Sequence, residues 1–433
     1  MTRNNHPGIG LMKRYLLLSL LIVSASAHAD FDKGVECYEA NDYACALKEF
    51  MVEADQGDAS AQFNLGGMYR QGFGVKQDYA EAVKWYRLAA DQGHAIAQNN
   101  MGVMCDQGKG VNQDYAEELK WYRLSSDQGY ASAQYNLGLM YAEGPGVKQD
   151  YAEAVKWYRL AADQGYADAQ YNLGVIYNKG QGVKQDYVEA VKWFRLAADQ
   201  GDASAQFNLG TMYANGQGIR QDYAEAVKWF RLSAEQGRVE AQYNLGGMYR
   251  EGQGVKQDHA EAVKWYRLAA DQGYADAQYN LGGMYRQGFG VKQDYAEALK
   301  WYRLVADQGH ADAQLNIGVM YDEGKGVKQD YAEALKWFRL AANQGFAVAQ
   351  YNLGNMIREG KGVKQEYAEA LKWYRLAADQ GYAYAQYNLG VMYKQGLGVM
   401  QDKKIAKGWF GNACENGFQG GCDEYRKLDE QGF

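Results

Sequence analysis

The side chains able to do chemistry are few and scattered along this chain. Of the five histidines, three lie beyond residue 29: His94, His259 and His310. His94 and His310 occupy the same place in a recurring pattern, six recurrences apart, so a stack of helices would set them roughly 50 to 60 Å from each other. They cannot share a metal ion. No HExxH, CxxC, phosphate-loop, nucleophile-elbow or Ser-x-x-Lys motif occurs. Carboxylates are abundant, but pairs such as Asp78 with Glu81 and Asp150 with Glu153 recur in most units. A residue needed that often caps or solvates a helix, whereas a catalytic pair would break the repeat, and none is seen to do so. The expectation is a chain that is not an enzyme, with no cofactor and no metal site.

The cysteines form a second pattern. Cys37 and Cys45 lie near the start, Cys414 and Cys422 near the end, and Cys105 stands alone. A helical hairpin would bring each end pair together, so both could bridge; the alternative is four free thiols. Closing a loop of this size contributes about 2.5 kcal/mol through lost chain entropy, at the ends where a linear array frays most readily. Bridged pairs would agree with an oxidising compartment. Cys105 replaces a tyrosine of the repeat and is expected to be a buried free thiol.

What must position these groups is set by the tryptophans. All ten, from Trp85 and Trp121 to Trp373 and Trp409, stand one period of 36 residues apart. Ten units therefore run over residues 57–416, flanked by an N-terminal cap at 30–56 and a C-terminal capping helix within 417–433. In the first unit Ala61, Leu65, Met68 and Tyr69 follow helical spacing and define helix A, which should stop at Gly72. Asp78 caps helix B, with Glu81 as an acidic capping box. Val75 is expected to tuck beneath the loop. The fold class read here is all-α: a right-handed α-solenoid of antiparallel helix pairs, each burying its apolar face on its neighbours. The tryptophans, beside Ala82 and Ala89, read as packing between units and not as a sugar-binding ladder.

Residues 1–29 read as a cleaved export signal. Lys13 and Arg14 precede the apolar run 15–23, and Ala27-His28-Ala29 fits a cleavage site. Translation could begin at Met1 or Met12. Removing Arg3, Lys13 and Arg14 and no acid takes the formal charge from −7 to −10. An acidic chain lacks the basic face that nucleic acid requires. No run is long enough to span a bilayer, so the mature chain is expected in the periplasm or beyond it.

Three segments carry a family resemblance: Ala-Gln-Tyr-Asn-Leu-Gly, the loop Gly-x-Gly-Val-x-Gln-Asp-Tyr, and Ala-x-x-Trp-Tyr-Arg-x-Ala-Ala. They resemble the Sel-one-like repeat family, a longer-looped relative of the tetratricopeptide repeat, over 57–416. The end cysteine pairs resemble those of its cysteine-rich members, some of which carry a β-lactamase label, so weak β-lactam hydrolysis enters as a third reading. The resemblance implies protein partners such as cell-wall enzymes, secretion or polysaccharide-assembly components, or signalling ectodomains. It also implies a register in which Gly66 is the close-packing glycine and positions 60, 63, 67, 70 and 71 face a concave groove. These are the positions where the copies differ. Position 63 is aromatic in Phe63, Tyr135, Tyr171, Phe207, Tyr243, Tyr279, Tyr351 and Tyr387, and Arg70, Arg250, Arg286 and Arg358 offer carboxylate anchors along the same rim. The expected function is an exported scaffold or adaptor gripping a protein or peptide; the alternative is a glycan- or peptidoglycan-binding module.

Overall fold

The structure, a computed structural model, describes residues 28–433. The expected export signal thus lies, apart from its last two residues, outside the described residues. Twenty-three helices and no strand occur among the described residues. They fall into two compact units: one ends at Gln200 and carries repeats 1 to 4, and the other, Gly201–Phe433, carries repeats 5 to 10. Each unit is a stack of antiparallel helix pairs in which every helix packs on the next in the chain.

Repeat 1 shows why these residues fold this way. Helix A runs Ala59–Gln71 and helix B Tyr79–Asp91. Gly72, at φ 77°, takes the left-handed conformation that closes helix A. The Asp78 carboxylate accepts from Ala80 N and Glu81 N and so starts helix B. The expected capping box is not completed, because the Glu81 carboxylate accepts from Lys84 Nζ one turn on. That pairing recurs in other repeats, as in Lys156 with Glu153 at 2.6 Å. Glu366, where other repeats have aspartate, makes no capping bond; its extra methylene takes the carboxylate past the amides.

Helix A meets helix B through a glycine. A Cβ on Gly66 would lie 2.5 Å from the Tyr86 ring, and the same collision recurs at Gly282 with Tyr302 at 2.8 Å. The core within each pair is thus alanine, leucine, methionine and one aromatic: Ala61, Leu65, Met68, Ala82, Tyr86 and Ala89 are all buried. Loop valines such as Val111, Val327 and Val363 pack against this core from its edge. Trp121, Trp193, Trp229 and Trp337 are buried, and Trp85, Trp157, Trp265, Trp301, Trp373 and Trp409 partly so.

A buried glutamine relay ties the pairs together. Gln62 donates to Ala54 O, the end of the preceding helix, at 3.1 Å and accepts from Gln92 Nε2 at 2.8 Å. Gln242 repeats this with Ala234 O at 3.1 Å and Gln272 Nε2 at 2.8 Å. The bonds answer carbonyls that a helix C-terminus leaves open. Repeat 7 departs from the pattern. Val305 stands where other repeats have alanine or serine, helix B ends at Ala306, and Gln308 Nε2 bonds Leu304 O, leaving the buried Gln278 Oε1 without a partner.

The ends are tied covalently. Cys37–Cys45 joins the two N-terminal helices His28–Glu39 and Tyr43–Asp55, with Cα atoms 5.7 Å apart. Cys414–Cys422 joins the last repeat to the terminal helix Gln419–Glu430, with Cα atoms 4.6 Å apart. That helix begins earlier than its charged stretch suggests, since Gly420 and Gly421 hide it from a propensity reading. Gly421 is needed there because a Cβ would come 2.7 Å from Phe410 O.

Candidate functional site: the helix A face

The variable positions of helix A do share a face. Every aromatic at position 63 is half-buried in the structure, and so are Arg70, Arg250, Arg286 and Arg358. In the unit of repeats 1 to 4, Phe63 packs on Tyr86 of its own repeat at 5.9 Å and stacks on His94 of the next at 4.9 Å. Tyr135 lies between Tyr158 and Tyr166, at 5.9 and 5.1 Å, and Tyr171 packs on Phe194 at 6.0 Å.

In the unit of repeats 5 to 10, Arg238 sits 4.8 Å over Phe207, and Tyr243 lies between Tyr266 and Tyr274. Tyr279 lies between Tyr302 and His310, Tyr351 between Tyr374 and Tyr382, and Tyr387 between Phe410 and Phe418. Each ring thus has part of its face covered by the protein itself and part of its surface open to solvent. Repeats 9 and 10 add a more open surface. Tyr384 is 50% exposed and touches Tyr382, Tyr351 and Phe418. An open cleft of about 460 Å³ lies nearby, lined by Arg358, Glu359, Asn388, Val391 and Gln395 among others.

An asparagine present in all ten repeats, one residue past the aromatic position, links neighbours. Asn280 Nδ2 donates to Tyr243 Oη at 3.4 Å and Asn316 Nδ2 to Tyr279 Oη at 3.3 Å. Burial pushes Tyr86, Tyr266 and Tyr302 up to about 12, with nearby Arg70, Arg250 and Arg286 respectively pulling the other way. These phenols stay protonated at neutral pH.

The histidines are structural. His94 Nδ1 accepts from Ala97 N at 3.2 Å and His310 Nδ1 from Ala313 N at 3.3 Å, so both cap helices; burial lowers the pKa of His94. His259 stacks on Phe289 at 5.1 Å. No cluster of three or more His, Cys, Asp or Glu among the described residues is placed to hold a metal.

One acid does break the repeat, contrary to the sequence reading. Glu118 replaces the core alanine of the other nine repeats and is buried. It lies near Cys105, which is buried and free. Burial, with Glu117 and other carboxylates adding to it, pushes the Cys105 thiol up to about 11. It is therefore no nucleophile at neutral pH. Aligning the copies column by column reveals Glu118, as it does the paired glutamines; a search for catalytic spacings reveals neither.

Stacked helix pairs with a variable, partly aromatic helix A face define a tetratricopeptide-like repeat protein. Sel1 repeats match ten times, at residues 59–94, 95–130, 131–166, 167–202, 203–237, 239–274, 275–310, 311–346, 347–382 and 383–418, and the chain belongs to the Sel1 repeat family. Among solved structures it is similar to a protective antigen of uropathogenic Escherichia coli displaying an SLR fold, at 39% identity and TM-score 0.85, covering 94% of this chain and 88% of that one. It is also similar to a Sel1 repeat protein from Oxalobacter formigenes, at 35% identity and TM-score 0.57, covering 76% of this chain and 93% of that one. No curated protein matches. No helix among the described residues is long and apolar enough to cross a membrane.

Proposed function

We propose that this protein is an exported adaptor that grips an extended segment of a partner protein along the concave helix A face and so assembles or regulates a process of the bacterial envelope. The observation that carries the reading is the ladder at position 63. A half-buried aromatic recurs there in eight of ten repeats, held in place by its neighbours, while the flanking positions vary in charge and size. A rigid, partly exposed ring costs little entropy to bind against, which suits recognition of a chain laid across successive repeats. Export is supported by the signal-like residues 1–29 and the two end disulfides, bonds that persist outside the reducing cytoplasm. The similarity to a protective antigen is in keeping with that location. The open cluster of Tyr351, Tyr382, Tyr384 and Phe418 favours a second reading, a glycan-binding module, because Tyr384 is exposed where the ladder rings are half-buried.

The test is affinity capture from envelope fractions with the oxidised chain from Asp30, alongside a variant carrying Tyr243→Leu and Tyr279→Leu. Leucine is chosen because Leu315 occupies this position in repeat 8. Recovery of one protein at near-equal amounts, lost in the variant, supports the adaptor reading. Retention of peptidoglycan fragments by wild type, with no protein, replaces it with the glycan reading.

A further inference from the structure

The helix B aromatic behind the groove is tyrosine in six repeats, and those hydroxyls do not share one environment. In repeat 9 the Tyr374 hydroxyl donates to Asn355 Oδ1 at 2.6 Å, and Asn388 Nδ2 of the next repeat donates to the same oxygen at 3.2 Å. Asn355 thus fills a slot with an oxygen that receives two hydrogen bonds. In repeats 6 and 7 the residue at that position is glycine, and no group among the described residues bonds the hydroxyl of Tyr266 or Tyr302. A Cβ on Gly247 would lie 3.6 Å from Tyr266 Oη, and one on Gly283 would lie 3.7 Å from Tyr302 Oη, with nothing else within 4 Å. The slot is open and the donors are in place.

An arginine stands beside each opening. Arg250 Cζ is 6.0 Å over the Tyr266 ring, and its guanidinium bonds Glu251 Oε1 at 2.7 Å. Arg286 Nη1 donates to Asn316 Oδ1 at 3.1 Å, and its buried Nε has no partner. Gln287 follows Arg286, where Glu251 follows and pairs with Arg250. A phenol donor with a guanidinium beside it selects an oxygen acceptor, and the guanidinium favours a charged one.

We infer that repeats 6 and 7 each receive a carboxylate of the bound chain, which takes the place that Asn355 Oδ1 occupies in repeat 9. This rests on the reading of the helix A face as a peptide groove and states what the peptide must carry. Neighbouring repeats lie about 10 Å apart, and an extended chain rises about 3.3 Å per residue. The ligand is therefore an extended segment with two Asp or Glu side chains three residues apart. In these two repeats Glu240 and Asp276 precede the arginine by ten residues, roughly 15 Å of helix, so each arginine stands apart from the acid at the start of its helix.

The test is a displayed library of random dodecapeptides panned against the oxidised chain from Asp30. Selected peptides should carry the acidic pair, and amidating either acid should weaken binding about tenfold. Substituting Gly247→Asn and Gly283→Asn should abolish binding while thermal stability holds or rises, since each new side chain supplies the missing oxygen from within. Peptides that need Tyr243 and Tyr279 but lack an acidic pair and ignore the asparagine substitutions would overturn the slots and leave the groove standing. A library yielding no peptide sensitive to Tyr243→Leu and Tyr279→Leu would overturn both.

Discussion

Replacing Gln242 by glutamate changes one NH2 group to oxygen inside the relay and should make the junction of repeats 5 and 6 pH-dependent. Gln242 is 4% exposed, donates to Ala234 O at 3.1 Å and accepts from Gln272 Nε2 at 2.8 Å. An ionised carboxyl there still accepts from Gln272 but sets an oxygen against Ala234 O. Leaving a buried acceptor open costs about 1–3 kcal/mol. Protonated, the introduced carboxyl donates to Ala234 O and restores the bond, so its folded-state pKa should rise by about 2 to 3 units above the usual ~4.3. A raised acid binds its proton longer in the folded chain, so the variant matches wild type below about pH 4.3 and loses about 1.36 kcal/mol per unit up to roughly pH 7. At pH 7.5 the penalty relative to wild type reaches about 3–4 kcal/mol. Long arrays do not unfold in one step, so the assay is native-state amide exchange read on helices 223–235 and 239–251 at pH 4.5 and 7.5, each against wild type. An equal penalty at both values would refute the reasoning, since loss of shape alone has no pH dependence.

Three further outcomes follow from the same geometry. Glu118→Ala restores the alanine of the other nine repeats and removes a buried acid; denaturation at neutral pH should show repeat 2 stabilised by about 1–3 kcal/mol. Tyr302, raised to about 12 in the fold, should cost stability as pH rises from about 10 toward 12, because only the unfolded phenol ionises freely there. Tyr302→Phe, which copies Phe338, should flatten alkaline unfolding by up to about 2.7 kcal/mol at pH 12. Cys414→Ser should free the terminal helix, speeding its amide exchange by an amount equivalent to about 2.5 kcal/mol and leaving repeats 5 to 8 unaffected.

Much of the architecture was legible because repetition averages out local ambiguity. One copy of Ala61, Leu65 and Met68 is a weak helix signal; ten copies in register, each closed by a glycine and reopened by Asp78 or its equivalent, leave little else. Cys105 and the end pairs were readable from position. The helix A face was legible as a set of positions, but its chemistry was not. Half-burial of Tyr243 and Tyr279 depends on rings contributed by the next repeat, Tyr274 and His310, which lie far along the sequence. The open hydroxyls of Tyr266 and Tyr302 depend on what Gly247 and Gly283 lack, and absence is invisible until the backbone is placed. Glu118 is hidden for a different reason: it stands in one copy only, and a pattern defined by what recurs does not contain it.

The glutamine relay bears on how long such a chain can be. Its donors and acceptors sit at fixed offsets, Gln62 to Ala54 and Gln92 to Gln62. Excising or duplicating one whole period would therefore rejoin equivalent partners at the new junction. Recombination between near-identical segments can change the copy number without a new packing solution, and the regular repeats are interchangeable parts. Repeats 2, 6 and 7 are not: losing repeat 7 would discard the Val305 irregularity and the Arg286 slot together. Natural length variants of this chain should accordingly gain and lose the regular copies more freely than these three, as length polymorphism across isolates would reveal.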